Sequence, residues 1–80
     1  GLVVEEALNN GLPVIVSDRV GCAEEIIDET NGIVFKLDEP SALNAAIVRM
    51  AEPSKYNYYR KNISQMNFEE IENKQIECYL

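Results

Sequence analysis

Eighty residues make one small domain at most, in the range where a single core is only marginally stable, and the chain opens in mid-pattern without an initiator methionine. It is therefore expected to be a piece of something larger, folded rather than disordered, since 46% of it is apolar and only 26% charged. Fourteen acidic residues against seven Lys and Arg leave a formal charge of −7, which disfavours nucleic acid, and the absence of histidine removes the commonest general base and metal ligand.

Residues 2 to 10 read as a short helix, apolar at Leu2, Val3, Val4, Ala7 and Leu8, with Gly11 as its stop. Leu12-Pro13-Val14-Ile15-Val16-Ser17 is a short β-branched run with proline at its start, which predicts a buried strand. After the loop from Asp18 to Gly21, Cys22 to Glu29 is expected to form about two turns of helix that bury Ala23, Ile26 and Ile27. Thr30-Asn31-Gly32 breaks it. Ile33-Val34-Phe35 is a second apolar run, so strand, helix and strand follow in the order of a crossover between parallel strands.

Asp38-Glu39-Pro40-Ser41 combines an N-cap candidate with a first-turn proline, and Leu43, Ala46, Ile47 and Met50 recur at helical spacing as far as Pro53. Ser54 to Met66 predicts a further helix capped by Ser54, with Tyr56, Tyr59 and Ile63 on one side. Phe68, Ile71, Ile76, Tyr79 and Leu80 mark a last amphipathic helix. A parallel strand needs cover on both faces, so two strands with this many helices suggest the C-terminal part of a larger α/β domain.

Cys22 and Cys78 are too far apart for a C-x-x-C motif and read as inert thiols. No signal peptide and no membrane-spanning apolar run is visible, and the Asn62-Ile63-Ser64 sequon reads as chance. The stretch "YNYYRK" after Lys55 is a basic and aromatic patch. Its cations are expected to face water while its tyrosines pack, although the composition also suits peripheral contact with an anionic membrane.

In this order, "GLVVEEALNNGLPVIVSD", "GCAEEII", "NGIVF" and "DEPSALNAAI" resemble the C-terminal region of retaining glycosyltransferases of family 4, which have the two-domain GT-B architecture. "MNFEEIENKQIECYL" is similar to their closing aromatic-plus-helix segment. The resemblance implies the C-terminal part of a Rossmann-like donor domain, with short parallel strands, flanking helices and a helical C-terminal end. Residues 1–80 would then be a single partial domain without the N-terminal acceptor domain.

Glu6 falls on the second glutamate of the family's Glu-x(7)-Glu motif, and the first lies outside this chain. By resemblance, Glu6 accepts hydrogen bonds from the ribose hydroxyls of a nucleotide sugar. A helix opening at Gly1, Leu2 and Val3 leaves unpaired N–H groups and a positive dipole end, which suit the donor diphosphate without a metal ion. Glu5, about 100° round the helix from Glu6, reads as solvated surface. "SDRVGCAEE" has Val20 and Gly21 where the family usually carries two glycines, which weakens a ligand role for that loop; Glu24 is accounted for by the helix dipole.

The function implied is sugar transfer from a nucleoside-diphosphate donor to a glycan, lipid or other hydroxyl acceptor, with retention, in polysaccharide biosynthesis. No cofactor or metal is expected, and the location implied is the cytoplasm or the cytoplasmic membrane face. The partners expected are the nucleotide sugar and the N-terminal domain of the same enzyme. The 80 residues alone are expected to turn nothing over, because the first motif glutamate and the acceptor domain are missing. The alternative is a non-enzymatic interaction module that has lost nucleotide binding and self-associates through an exposed sheet edge. A nucleotide-sugar epimerase is disfavoured by the closing segment.

Overall fold

A computed structural model describes residues 2–21, 23–67 and 69. The first helix, α1 (Leu2–Asn9), ends in a turn that spends its last carbonyls. The Gly11 N–H donates to the Leu8 carbonyl at 2.9 Å and the Leu12 N–H to the Ala7 carbonyl at 2.9 Å, with Gly11 at φ +77°. That left-handed conformation is open to glycine at no steric cost, so Gly11 is the helix stop the sequence predicts.

Strand β1 (Val14–Ser17) follows at once and is shorter than expected. The Leu12 N–H is committed to the helix end and Pro13 has none to give, so pairing begins at Val14. It runs parallel to β2 (Gly32–Phe35), with Val14 opposite Gly32, Ile15 opposite Ile33, Val16 opposite Val34 and Ser17 opposite Phe35. The parallel pair confirms the α/β class read from the sequence.

Strand β1 is half-buried rather than buried, a correction with a simple cause, and β2 is half-buried beyond Gly32. Side chains alternate between the two faces of a strand. Val14, Val16 and Val34 pack on the core formed by Val4, Leu8, Ile26, Ile27 and Ile63. Ile15 instead lines a groove of about 550 Å³ together with Ile47, Met50, Pro53 and Tyr56.

The connection between the strands holds α2 (Ala23–Ile26), one turn where two were expected. The shortening comes from Asn31, which is 1% exposed. Its Nδ2 donates to the Ile26 carbonyl at 2.9 Å, and its Oδ1 accepts the Asp28 N–H at 2.9 Å. One side chain thus replaces the backbone partners that a second turn would supply. Asp28 Oδ1 accepts the Thr30 N–H at 2.8 Å, which closes the turn. Of the three residues predicted to be buried, Ile26 and Ile27 are, and the Ala23 side chain lies outside what is described.

Helix α3 (Ala42–Ala51) buries Ala46, but Leu43 and Ile47 are about half exposed, so the predicted apolar stripe is covered only in part. Helix α4 (Pro53–Ser64) begins one residue before Ser54, with Glu52 as N-cap and Pro53 in its first turn. Proline at that place loses no helical bond, which makes Pro53 the start of α4 as well as the end of α3. Ser54 is thus not the cap, and its Oγ donates to Glu52 Oε1 at 2.5 Å. Tyr59 and Ile63 are buried, Tyr56 is half-buried and Tyr58 is exposed. Asn62 Nδ2 donates to the Thr30 carbonyl at 3.0 Å and ties α4 to the turn before β2. The last helix, expected from Phe68 onward, falls outside the described residues except for Glu69.

Candidate functional site

Residues 10–13 turn the chain back on itself and α1 packs on β1, so the start of α1 comes to the same end of the sheet as the carboxyl ends of the strands. In open α/β sheets this is the end where ligands gather. Of the three residues expected to offer N–H groups there, Leu2 and Val3 lie in the first turn of α1 and Gly1 lies outside the described residues. The Val3 side chain is 79% exposed.

The two adjacent glutamates part company. Glu6 is exposed, whereas Glu5 is 9% exposed and sits on the buried side with Val4 and Leu8. Glu5 is therefore not the solvated surface residue expected of it. With Val4 and Leu8 one turn apart on the inner face, Glu5 lies beside that stripe and Glu6 beyond it. The Glu6 carbonyl, one turn above the helix end, accepts both the Asn10 N–H at 3.1 Å and Asn10 Nδ2 at 2.7 Å.

The loop after β1 is held by its own side chains. Ser17 Oγ accepts the Arg19 N–H at 3.2 Å, and the Val20 N–H donates to the Ser17 carbonyl at 3.1 Å. Asp18 extends the ladder by donating its N–H to the Phe35 carbonyl at 2.9 Å, while its Oδ1 accepts the Leu37 N–H at 3.2 Å. Arg19 Nε stands 3.9 Å from the same oxygen. Asp18, unassigned from sequence, thus fixes the exits of both strands. Its signal is its place: a short acceptor directly after an apolar strand. A Cβ on Gly21 would meet nothing within 4 Å, so the loop leaves open space there.

The groove beneath Ile15 is lined by Ile15, Ile47, Met50, Ala51, Pro53, Tyr56 and Asn57 and contains no charge. It suits apolar packing rather than a diphosphate. At the "YNYYRK" patch, the Arg60 guanidinium lies 6.0 Å from the Tyr56 ring centroid, and Tyr58 meets Tyr59 edge-on at 5.6 Å. The patch is thus partly used in packing. Among the described residues no helix is long and apolar enough to cross a membrane, and no three carboxylate or thiol groups converge as metal ligands.

No curated protein and no solved structure matches the chain. The family model for glycosyl transferases group 1 matches residues 1–66, from the opening of α1 to the end of α4, and thus takes in Glu6 and both strands. An α/β fold of parallel strands agrees with that match, and the chain belongs to the glycosyl transferases group 1 family.

Proposed function

We propose that this chain forms part of the donor-binding site of a retaining, GT-B-type glycosyltransferase of family 4, moving a hexose from a nucleoside-diphosphate sugar to a glycan, lipid or other hydroxyl acceptor. The observation that carries the reading is the opposite placement of the two glutamates, with Glu6 open to a ligand on the helix that starts at the strands' carboxyl end. Gly1, Leu2 and Val3 offer N–H groups to the diphosphate, where the helix dipole stabilises the charge that develops on the leaving group. Glu6 is ~8 Å further along the axis by the usual rise, and accepts hydrogen bonds from the ribose hydroxyls. No metal takes part in this reading. The acceptor side comes from an N-terminal domain, and the work is done in the cytoplasm or at the cytoplasmic membrane face, in polysaccharide biosynthesis.

A two-dimensional NMR titration of the labelled chain with UDP, GDP and their sugars tests this. Shifts gathered at Leu2, Val3 and Glu6, and weakened in Glu6→Ala, are the expected result. A folded spectrum indifferent to every nucleotide counts against the assignment. The second reading, a self-associating module, is favoured by the half-exposed Leu43 and Ile47 beside the apolar groove. It predicts sedimentation that rises with concentration together with nucleotide indifference.

A further inference from the structure

The chain contains two Asn-Gly steps, Asn10-Gly11 and Asn31-Gly32, and the fold treats them in opposite ways. At such a step the glycine nitrogen, unshielded by a neighbouring Cβ, can attack the asparagine Cγ. The N–Cγ bond forms, the Cγ–Nδ2 bond breaks, and ammonia leaves with the proton of the glycine nitrogen. Water then opens the succinimide to aspartate or isoaspartate, so solvent is the sole co-reactant.

Asn31 is closed to this chemistry. Its side chain is buried, with Nδ2 held by the Ile26 carbonyl and Oδ1 by the Asp28 N–H, both at 2.9 Å. Gly32 is buried on the first rung of the parallel pair, against Val14 and Ile27. Reaction there requires the strand pair and the turn before it to open.

Asn10 differs on each count. It is exposed, and its Nδ2 makes one hydrogen bond, to the Glu6 carbonyl at 2.7 Å. The Gly11 N–H is held only at the helix end, by the Leu8 carbonyl at 2.9 Å, where fraying costs least. We propose that Asn10 is a site of spontaneous deamidation in the folded protein, while Asn31 is protected by the fold. Conversion removes a donor from the Glu6 carbonyl and puts a negative charge at the negative end of α1.

Peptide mapping by mass spectrometry tests the proposal, on the full chain held in mildly alkaline buffer with and without urea. In urea the two steps should react at similar rates. In the folded chain Asn10 should lead Asn31 by at least roughly tenfold, because a buried amide reacts only from the locally opened state. The Asn10→Gln variant should lose the leading conversion. Equal folded rates, or a folded rate at Asn10 slowed as much as that at Asn31, overturn the proposal.

Discussion

A side chain on Gly32 would place its Cβ 2.5 Å from the Val14 carbonyl oxygen, so the first rung of the parallel pair admits glycine alone. The constraint is one of space, because Gly11 is the glycine with positive φ among the described residues. Gly32→Ala must push β1 and β2 apart or shift Ile27, whose Cγ2 is 3.1 Å from the same point. Overpacking of this kind costs about 1–3 kcal/mol. Urea unfolding should show a lower midpoint at an unchanged slope, and an unaltered midpoint would refute the steric account.

Asn31 serves two backbone groups, the Ile26 carbonyl and the Asp28 N–H. Asn31→Ala removes a partner from each, and an unpaired buried group such as the Ile26 carbonyl costs about 1–3 kcal/mol. Asn31→Asp keeps the acceptor but loses the donor, and should fall between Ala and the parent in thermal unfolding. Equal melting temperatures for all three proteins would mean that water replaces the side chain without loss.

Neighbouring carboxylates with different burial should separate stability from binding. Glu6→Gln is expected to leave stability within about 0.5 kcal/mol, as surface changes do. Its effect should appear in nucleotide titrations, weakening binding by roughly tenfold or more if a charged hydrogen bond to ribose is lost. Glu5→Lys forces a longer side chain of opposite charge into the buried side of α1 and should lower the unfolding midpoint. A destabilised Glu6→Gln beside a neutral Glu5→Lys would invert the assignment of inner and outer faces.

At the start of α4, the Ser54 hydroxyl holds the Glu52 carboxyl below the usual glutamate range. Loss of hydration beside the protein pushes the other way, and the nearby Ser54 and Lys55 amides and the Lys55 charge add to the lowering without making a cap hydrogen bond. A carboxyl lowered in the folded state stabilises the fold above its unfolded pKa, and that contribution is lost as pH falls through the folded value. Ser54→Ala should therefore raise the Glu52 pKa in a carbon-detected NMR titration and weaken the acid sensitivity of α4. An unmoved titration curve would show that the hydroxyl is not the main cause.

The parts legible in the sequence are those set by local chemistry. Gly11 and Pro13 separate α1 from β1, and the β-branched runs around Ile15 and Ile33 mark both strands and their order. What escaped the reading depends on contacts between segments. Asn31 looks like an ordinary helix breaker until its amide is seen reaching back to Ile26, and this sets the length of α2. Pro53 both ends one helix and opens the next, so Ser54 has the right composition for a cap and the wrong position. Glu5 was misplaced because charge predicts exposure only on average, whereas Val4 and Leu8 decide which side of α1 turns inward. Glu6 is exposed, a placement that periodicity alone does not single out from its neighbour.

The Glu5-Glu6 pair also makes α1 an angular gauge. Successive helical residues are set about 100° apart, so a rotation of that size about the helix axis would carry Glu5 out to the direction that Glu6 now takes. The turn at Gly11 and the Val4 and Leu8 contacts together hold the orientation. Substitutions at Ile63 of α4, which shares the core with Val4 and Leu8, would thus change the exposure of both carboxylates by turning α1 rather than by moving it.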